Sequence, residues 1–431
     1  MPVSWPWTKT GGEPTSNSLK QKLKLEISRE TFRTEDDIHL GSSAESARWR
    51  LFSPHPATLP PPDAQRTPHN RGGGQRPMTL PAGGDPPSPP RSCPWRCPLG
   101  GAPLTTMLLP LLLLLVLAVK LYWLGTTGRC RSHRQLIGKT VLVTGATSGI
   151  GKETALDLSA RGAAVILTSR HLTTAKLAAE ELIRKTGNPA VFPLQLDLAS
   201  AASVRRFCAD ARRTHGRLDA LVLNAGGAVV LDRPRRGLGG LEYHWAANVL
   251  GHFLLVHLLL DLLKRGSRVV VVTSSAHVFG RIELDNLRCD RGYRKYTVFD
   301  DCQLGKLLFA KELARRLRAS GVMVNAVNPG LTRSNIIERR PLWLQIAILL
   351  LWPFMKTPSD GAQTSIHCAV CEDAEGVTGA YFSDCKVARE MNRGGDMDLA
   401  RKLWEKMEEI LEIPESQKIP EPKFVKPDGR H

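Results

Sequence analysis

The stretch Val141 to Gly151, VLVTGATSGIG, limits what this chain can fold into more than any other. Val141-Leu142-Val143 is an apolar run of the kind a buried strand needs. Thr144-Gly145 breaks it, and Ile150 opens a helical pattern with Ala155, Leu156 and Leu158 as its apolar positions. The stretch predicts strand, glycine-rich turn, helix. Glycines let the backbone approach a ligand closely, and the free N–H groups of a helix start face it, so the arrangement suits a nucleotide pyrophosphate. An ordinary glycine-rich loop would have the same composition, and the pieces further along the chain separate the two readings.

From residue 138 onward, strand and helix patterns alternate. Strands are predicted at 140–144, 164–169, 191–195, 220–223, 268–273 and 323–327. Helices are predicted from the glycine turn to about 160, and then at 171–185, 201–214, 243–264 and 300–319. Such an order implies right-handed crossovers and an α/β fold with a doubly wound, Rossmann-type parallel sheet. Ligands of such sheets lie at the carboxyl ends of the strands. The turn glycines, Asn224-Ala225-Gly226, Ser274-Ser275 and Pro329-Gly330 all fall there. The second strand ends in Ser169-Arg170, where an acidic residue would suit the ribose of NAD; arginine suits the 2′-phosphate of NADP. Asp197-Leu198 follows the third strand, where an adenine contact is expected.

The rest of the chain is unlike this half. Residues 1–106 are rich in Pro, Gly, Ser and Arg, a composition that cannot bury enough apolar surface to offset chain entropy, so disorder is expected. An interaction tail is the functional alternative, and translation starting at Met107 a third. Met107 to Leu124, MLLPLLLLLVLAVKLYWL, is nearly long enough to span a bilayer core. Lys120, Tyr122 and Trp123 suit its interface, and Arg129, Arg131 and Arg134 place the following domain in the cytosol. A membrane anchor is expected rather than a cleaved signal, since no small-residue cleavage site is evident. The net charge of +18 points to a membrane-facing or solvated surface, because no nucleic-acid-binding motif accompanies it. The nine cysteines are dispersed, as free thiols of a reducing compartment would be. Cys368 and Cys371 are spaced CxxC without a second pair, which reads as two small packed residues and no metal site. The apolar run at 341–354 is too short to span a bilayer and reads as a lid or an interfacial helix, with plain core as the bland alternative. An amphipathic helix is expected at 396–411, and a loose tail at 414–431.

The motifs TGATSGIG (144–151), NAG (224–226), NVLGHF (248–253), SS (274–275) and NPG (328–330) together resemble the short-chain dehydrogenase/reductase family over about residues 138–413. KTPSDGAQTSIHCAV (356–370) and TGAYFSDCK (378–386) resemble its microsomal retinol dehydrogenase branch. The resemblance implies a membrane-anchored, NADP-dependent oxidoreductase of retinal or other lipid aldehydes, its domain on the cytosolic face of the endoplasmic reticulum. It implies that Gly145, Ser148, Gly149, Ile150 and Gly151 hold the pyrophosphate, Arg170 the 2′-phosphate and Asp197 the adenine. Asn224, Ala225 and Gly226 would line the nearer ribose and strand end, and Pro329, Gly330 and Thr332 the nicotinamide amide. Ser275 would bond the substrate oxygen and Asn248 a relay water.

One family feature is missing. The family's acid–base pair is a Tyr with a Lys four residues later, on one helix face. Reading back from LLFAKELARRL (307–317), Phe299 stands at the tyrosine and Gln303 at the lysine. Phenylalanine has no proton to give, and glutamine carries no charge. Tyr296 and Tyr293 have Asp300 and Thr297 at their own i+4. Cys302 and Lys306 have the right spacing, but aligning them needs a three-residue slip that misplaces Leu304, Leu307, Leu308 and Phe309. Two readings follow: an NADP-dependent lipid-aldehyde reductase, or an inactive NADP(H)-binding relative acting as sensor or binding partner.

Overall fold

The computed structural model describes residues 104–227, 231, 233–333, 352 and 355–422. The expected disorder of residues 1–103 and the expected lid at 341–354, Trp352 aside, lie outside the described residues.

The first described element is α1 (Leu104–Thr126), 23 residues and apolar along its length. It begins three residues before Met107 and, at about 1.5 Å per residue, is roughly 34 Å long, enough to cross a bilayer core. Leu111, Leu113, Leu114, Leu115 and Leu121 are all exposed. Pro110 falls within the first two turns.

The sheet then builds as the alternation predicted. Strands β1 (Thr140–Val143), β2 (Ala164–Ser169), β3 (Val191–Gln195), β4 (Leu218–Leu223), β5 (Leu263–Val272), β6 (Met323–Asn328), β7 (Tyr381–Ser383) and β8 (Lys386–Ala388) lie in the order β3-β2-β1-β4-β5-β6-β7-β8. All neighbours run parallel except β8, which turns back antiparallel on β7. These last two strands were not foreseen: three residues are too few for a period-two pattern to show. The outer strand β3 carries Pro193 opposite Leu167.

Helices α2 (Gly149–Ala160), α3 (Leu172–Thr186), α4 (Ala201–Thr214), α5 (Tyr243–Leu262), α6 (Val298–Leu317), α7 (Pro358–Val370) and α8 (Met397–Ile410) cover the sheet. Successive strand residues point to opposite faces. Val141 and Val143 enter one core with α2, α3 and α7, while Leu142 enters the other with α4, α5, α6 and α8. The apolar α5 would be long enough for a membrane by composition, but 78% of it is buried inside the domain. Trp404 of α8, fully buried, stacks near Phe309 and under the Arg316 guanidinium, 4.6 Å away.

The tail expected to be loose is held as far as Glu421. Ile419 is 1% exposed, and its carbonyl accepts a 2.7 Å hydrogen bond from Arg316. Arg315 and Arg316 also pair with Glu421. The polar composition after Pro414 concealed one apolar residue with a socket to fill.

Candidate functional site

The strand order reverses at β1, whose neighbours are β2 and β4. The crevice at the carboxyl ends of these strands is where a doubly wound sheet binds its ligand. A cleft of about 950 Å³ opens there. All the residues given cofactor or catalytic roles from sequence border it, as do Phe299 and Gln303; Tyr293, Tyr296 and Cys302 do not.

The glycine turn is shaped as its sequence requires. Gly145 and Gly149 adopt φ of +65° and +56°, which L side chains rarely accept. A Cβ on Gly151 would lie 2.3 Å from Asn224 Nδ2 and 2.4 Å from the Gly145 carbonyl. Ser148 is the N-cap of α2, and its side chain makes no capping bond, so the first N–H groups of the helix remain available to an anion.

Asn224 is committed elsewhere than to a ligand. Its Nδ2 donates to the Thr144 carbonyl at 2.9 Å and to that of Gly145 at 3.2 Å, stitching β4 to the turn. The Ala225 N–H donates to Thr144 Oγ1. Arg170 stands at the end of β2, with Nη1 donating to the Tyr243 hydroxyl at 2.8 Å. Asp197 accepts from the Ala199 N–H through Oδ1. On the far side, Gly330 has φ +77° and a Cβ there would strike Lys356 Nζ at 2.9 Å. Thr332 Oγ1 donates to the Pro329 and Gly330 carbonyls, and Gly361 of α7 leaves room for it.

Asn248 lies in a π-turn, Ala246–Leu250, inside α5. Such bulges often mark functional positions. Its Oδ1 accepts from the Gly227 N–H at 3.1 Å and its Nδ2 donates to the Gly227 carbonyl at 3.2 Å. Both ends of the amide therefore hold the loop after β4, where the sequence reading gave this residue a relay water. Ser275 borders the cleft and is exposed, while its neighbour Ser274 caps the short turn at 275–279.

Helix α6 settles the register. Leu304, Leu307, Leu308 and Phe309 are all buried in the core, and Cys302 is fully buried away from the cleft, with burial pushing its thiol well above the usual range. No slip occurs. Phe299 and Gln303 face the cleft where a tyrosine and lysine were sought. Lys306 faces it too, at i+7 from Phe299 and i+3 from Gln303, on the same helix stripe. Its Nζ lies 3.4 Å from the Ala225 carbonyl and is 2% exposed as a residue. Burial lowers its pKa from 10.5 to about 8. The cleft thus has a cation after all, one turn further along than the motif specifies. The sequence carried the signal, since three positions at i, i+4 and i+7 share a face; pairing Lys306 with Cys302 hid it.

His252 extends this polar floor. Its Nδ1 faces the Asn248 carbonyl at 3.0 Å and so carries the proton, which leaves Nε2 to accept from Thr144 Oγ1 at 3.1 Å. Burial, with Lys306 adding to it, lowers the ring's pKa to about 3, so it is neutral. His244, also bordering the cleft, is oriented by a 2.7 Å contact to the fully buried Glu242. Tyr243, His244 and Lys306 are among the cleft residues that the motifs did not announce.

Comparison with known proteins agrees with this geometry. A family model described as short chain dehydrogenase matches residues 139–286. The chain is 41% identical over 312 residues to retinol dehydrogenase 11 of Mus musculus, covering 71% of this chain and 96% of that protein. Retinol dehydrogenase 12 of Bos taurus is 39% identical over 316 residues, 72% of this chain and 97% of its own. A crystal structure of an uncharacterized protein from Mycobacterium paratuberculosis superposes with a TM-score of 0.55 at 28% identity, covering 68% of this chain and all of that one. The strand order, the glycine turn and these alignments converge, and the chain belongs to the short-chain dehydrogenase/reductase family, in its retinol dehydrogenase-like branch.

Proposed function

We propose that this chain binds NADP(H) in the cleft and reduces a small lipophilic carbonyl compound, a retinoid or another lipid aldehyde, while α1 anchors it in an internal membrane such as the endoplasmic reticulum with the domain in the cytosol. The observation that carries the reading is the cradle itself. Gly145, Gly149 and Gly151 leave the backbone open at an uncapped helix start, and Arg170 stands at the end of β2.

The bound dinucleotide supplies a hydride. Gly145, Ser148, Gly149, Ile150 and Gly151 hold its pyrophosphate on backbone N–H groups. Arg170, its guanidinium steadied by Tyr243, takes the 2′-phosphate. Asp197 reaches the adenine. Asn224 keeps the turn in shape, while Ala225 and Gly226 line the ribose. Pro329, Gly330 and Thr332 contact the nicotinamide amide. Ser275 orients the substrate oxygen, and Asn248 fixes the loop floor at Gly227. Lys306 supplies the positive charge that Gln303 lacks; with a pKa of about 8 it can also release a proton near neutral pH. The retinol dehydrogenases at about 40% identity support a lipophilic carbonyl as substrate.

Phe299 in the cleft favours a second reading: NADP(H) is bound and no turnover follows, the chain acting as a sensor or binding partner. NADPH titration followed by turnover assays with retinal and alkanals tests both. Turnover abolished by Ser275→Ala and depressed by Lys306→Met supports the reductase. Binding without turnover, with turnover restored by Phe299→Tyr plus Gln303→Lys, supports the second reading. Absence of NADPH binding overturns both.

A further inference from the structure

A second group of side chains with ligand chemistry lies on the other face of the sheet from α6. Cys130 Sγ, Cys371 Sγ and a ring nitrogen of His367 all lie within 4.8 Å of one another. His367 and Cys371 are buried and Cys130 is half-buried. Cys130, Cys371 and Cys368, which lies outside the group, are all free thiols. The CxxC spacing alone showed only two of them. The third comes from the segment between α1 and β1, which is fastened to α7 along its length. The Cys130 N–H donates to Gln363 Oε1 at 3.0 Å, Arg129 pairs with Asp360, and Arg134 pairs with Glu375.

Ligand type and spacing match one ion. Two thiolates and an imidazole are the donor set of tetrahedral zinc, with bonds of about 2.3 Å to sulfur and about 2.0–2.1 Å to nitrogen, which puts ligand atoms roughly 3.5–3.8 Å apart. A shift of about an ångström brings the three atoms to those corners. His367 lies in the last turn of α7 and Cys371 is its C-cap, four residues on, with its N–H donating to the His367 carbonyl at 2.9 Å. The Arg268 guanidinium donates to the Cys371 carbonyl at 2.6 Å and fixes the backbone of that ligand.

We propose that Cys130, His367 and Cys371 form a zinc site, its fourth position taken by a water, that staples the segment after α1 onto α7. Each coordinating thiol gives its proton to solvent and no electron is transferred. The staple joins two functional parts of the molecule. Cys130 is four residues past the end of α1, and the first turn of α7 carries Gly361 against Thr332 at the cleft.

The test uses the full-length protein, purified under reducing conditions, loaded with zinc sulfate and dialysed. Zinc retained at about one ion per chain is the expected result. A chelator then lowers the melting temperature and zinc restores it. Cobalt(II) in place of zinc gives thiolate charge-transfer absorption. Cys130→Ser and Cys371→Ser lose the metal, whereas Cys208→Ser, in the core on the other face, retains it. A natural chain that retains no zinc overturns the proposal, whether Cys130 and Cys371 are then reduced or joined as a disulfide. If the serine variants fail to fold, alkylation of the natural chain decides. Cys130 and Cys371 protected only while zinc is present upholds the site, and equal labelling with and without zinc overturns it.

Discussion

An ammonium buried at 2% exposure, with no carboxylate paired to it among the described residues, is held below its ordinary pKa by lost hydration, and Lys306 sits at about 8 for that reason. Between pH 8 and 10.5 the unfolded chain therefore binds more protons at this position than the folded one, so the folded state gains stability as pH rises through that window. The gain amounts to about 3 kcal/mol. Denaturant unfolding at pH 7.5 and 10 should show the natural protein gaining on Lys306→Met by that order; a constant difference would refute the shift. Phe299 and Gln303 lend themselves to a gain-of-function test. Phe299→Tyr with Gln303→Lys is expected to raise NADPH-dependent turnover of retinal by about 10²–10⁴-fold, the usual worth of a positioned acid. At Gly151 the limit is space. A methyl there meets Asn224 Nδ2 at 2.3 Å, so Gly151→Ala should weaken NADPH binding about tenfold or more in a fluorescence titration, with the far-ultraviolet circular dichroism preserved. The sequence made these positions legible by type. It did not show how they were used, because Asn224 and Asn248 spend their amides on backbone groups brought near only by the fold.

Elements follow the same division. The strands β1 to β6 and helices α2 to α4 were readable because most are apolar runs or periodic faces long enough for their period to show. The π-turn in α5 was not, since inserting one residue into a helix leaves an apolar sequence apolar. Nor were β7 and β8, whose existence depends on β6 offering an edge at 326–328. The end of β2 carries a prediction of its own. Arg170→Ala should weaken NADPH far more than NADH in parallel titrations, because only the former has a 2′-phosphate; equal losses would remove the assignment.

For the molecule as a whole, the boundary between folded and loose chain was drawn one short segment too early. Deleting residues 415–431 removes Ile419 from its socket and the Arg316 hydrogen bond with it, and should lower unfolding stability by about 2 kcal/mol or more. An unchanged midpoint in urea would show the segment to be ornamental. The composition there is polar enough to read as solvent-exposed, and only the packing of the fold reveals that Ile419 is buried. The two flanks of the sheet bear on how copies behave when crowded together. On one flank Pro193 interrupts β3 with a residue that has no N–H to offer. On the other, β8 is three residues long and opens with Lys386. Long, flat, unpaired strands invite neighbouring chains to add on and seed fibrous aggregates; proline, brevity and a lysine are the means by which natural sheets refuse. When copies meet at high concentration, this chain presents them with no long, flat strand on which to polymerise among its described residues.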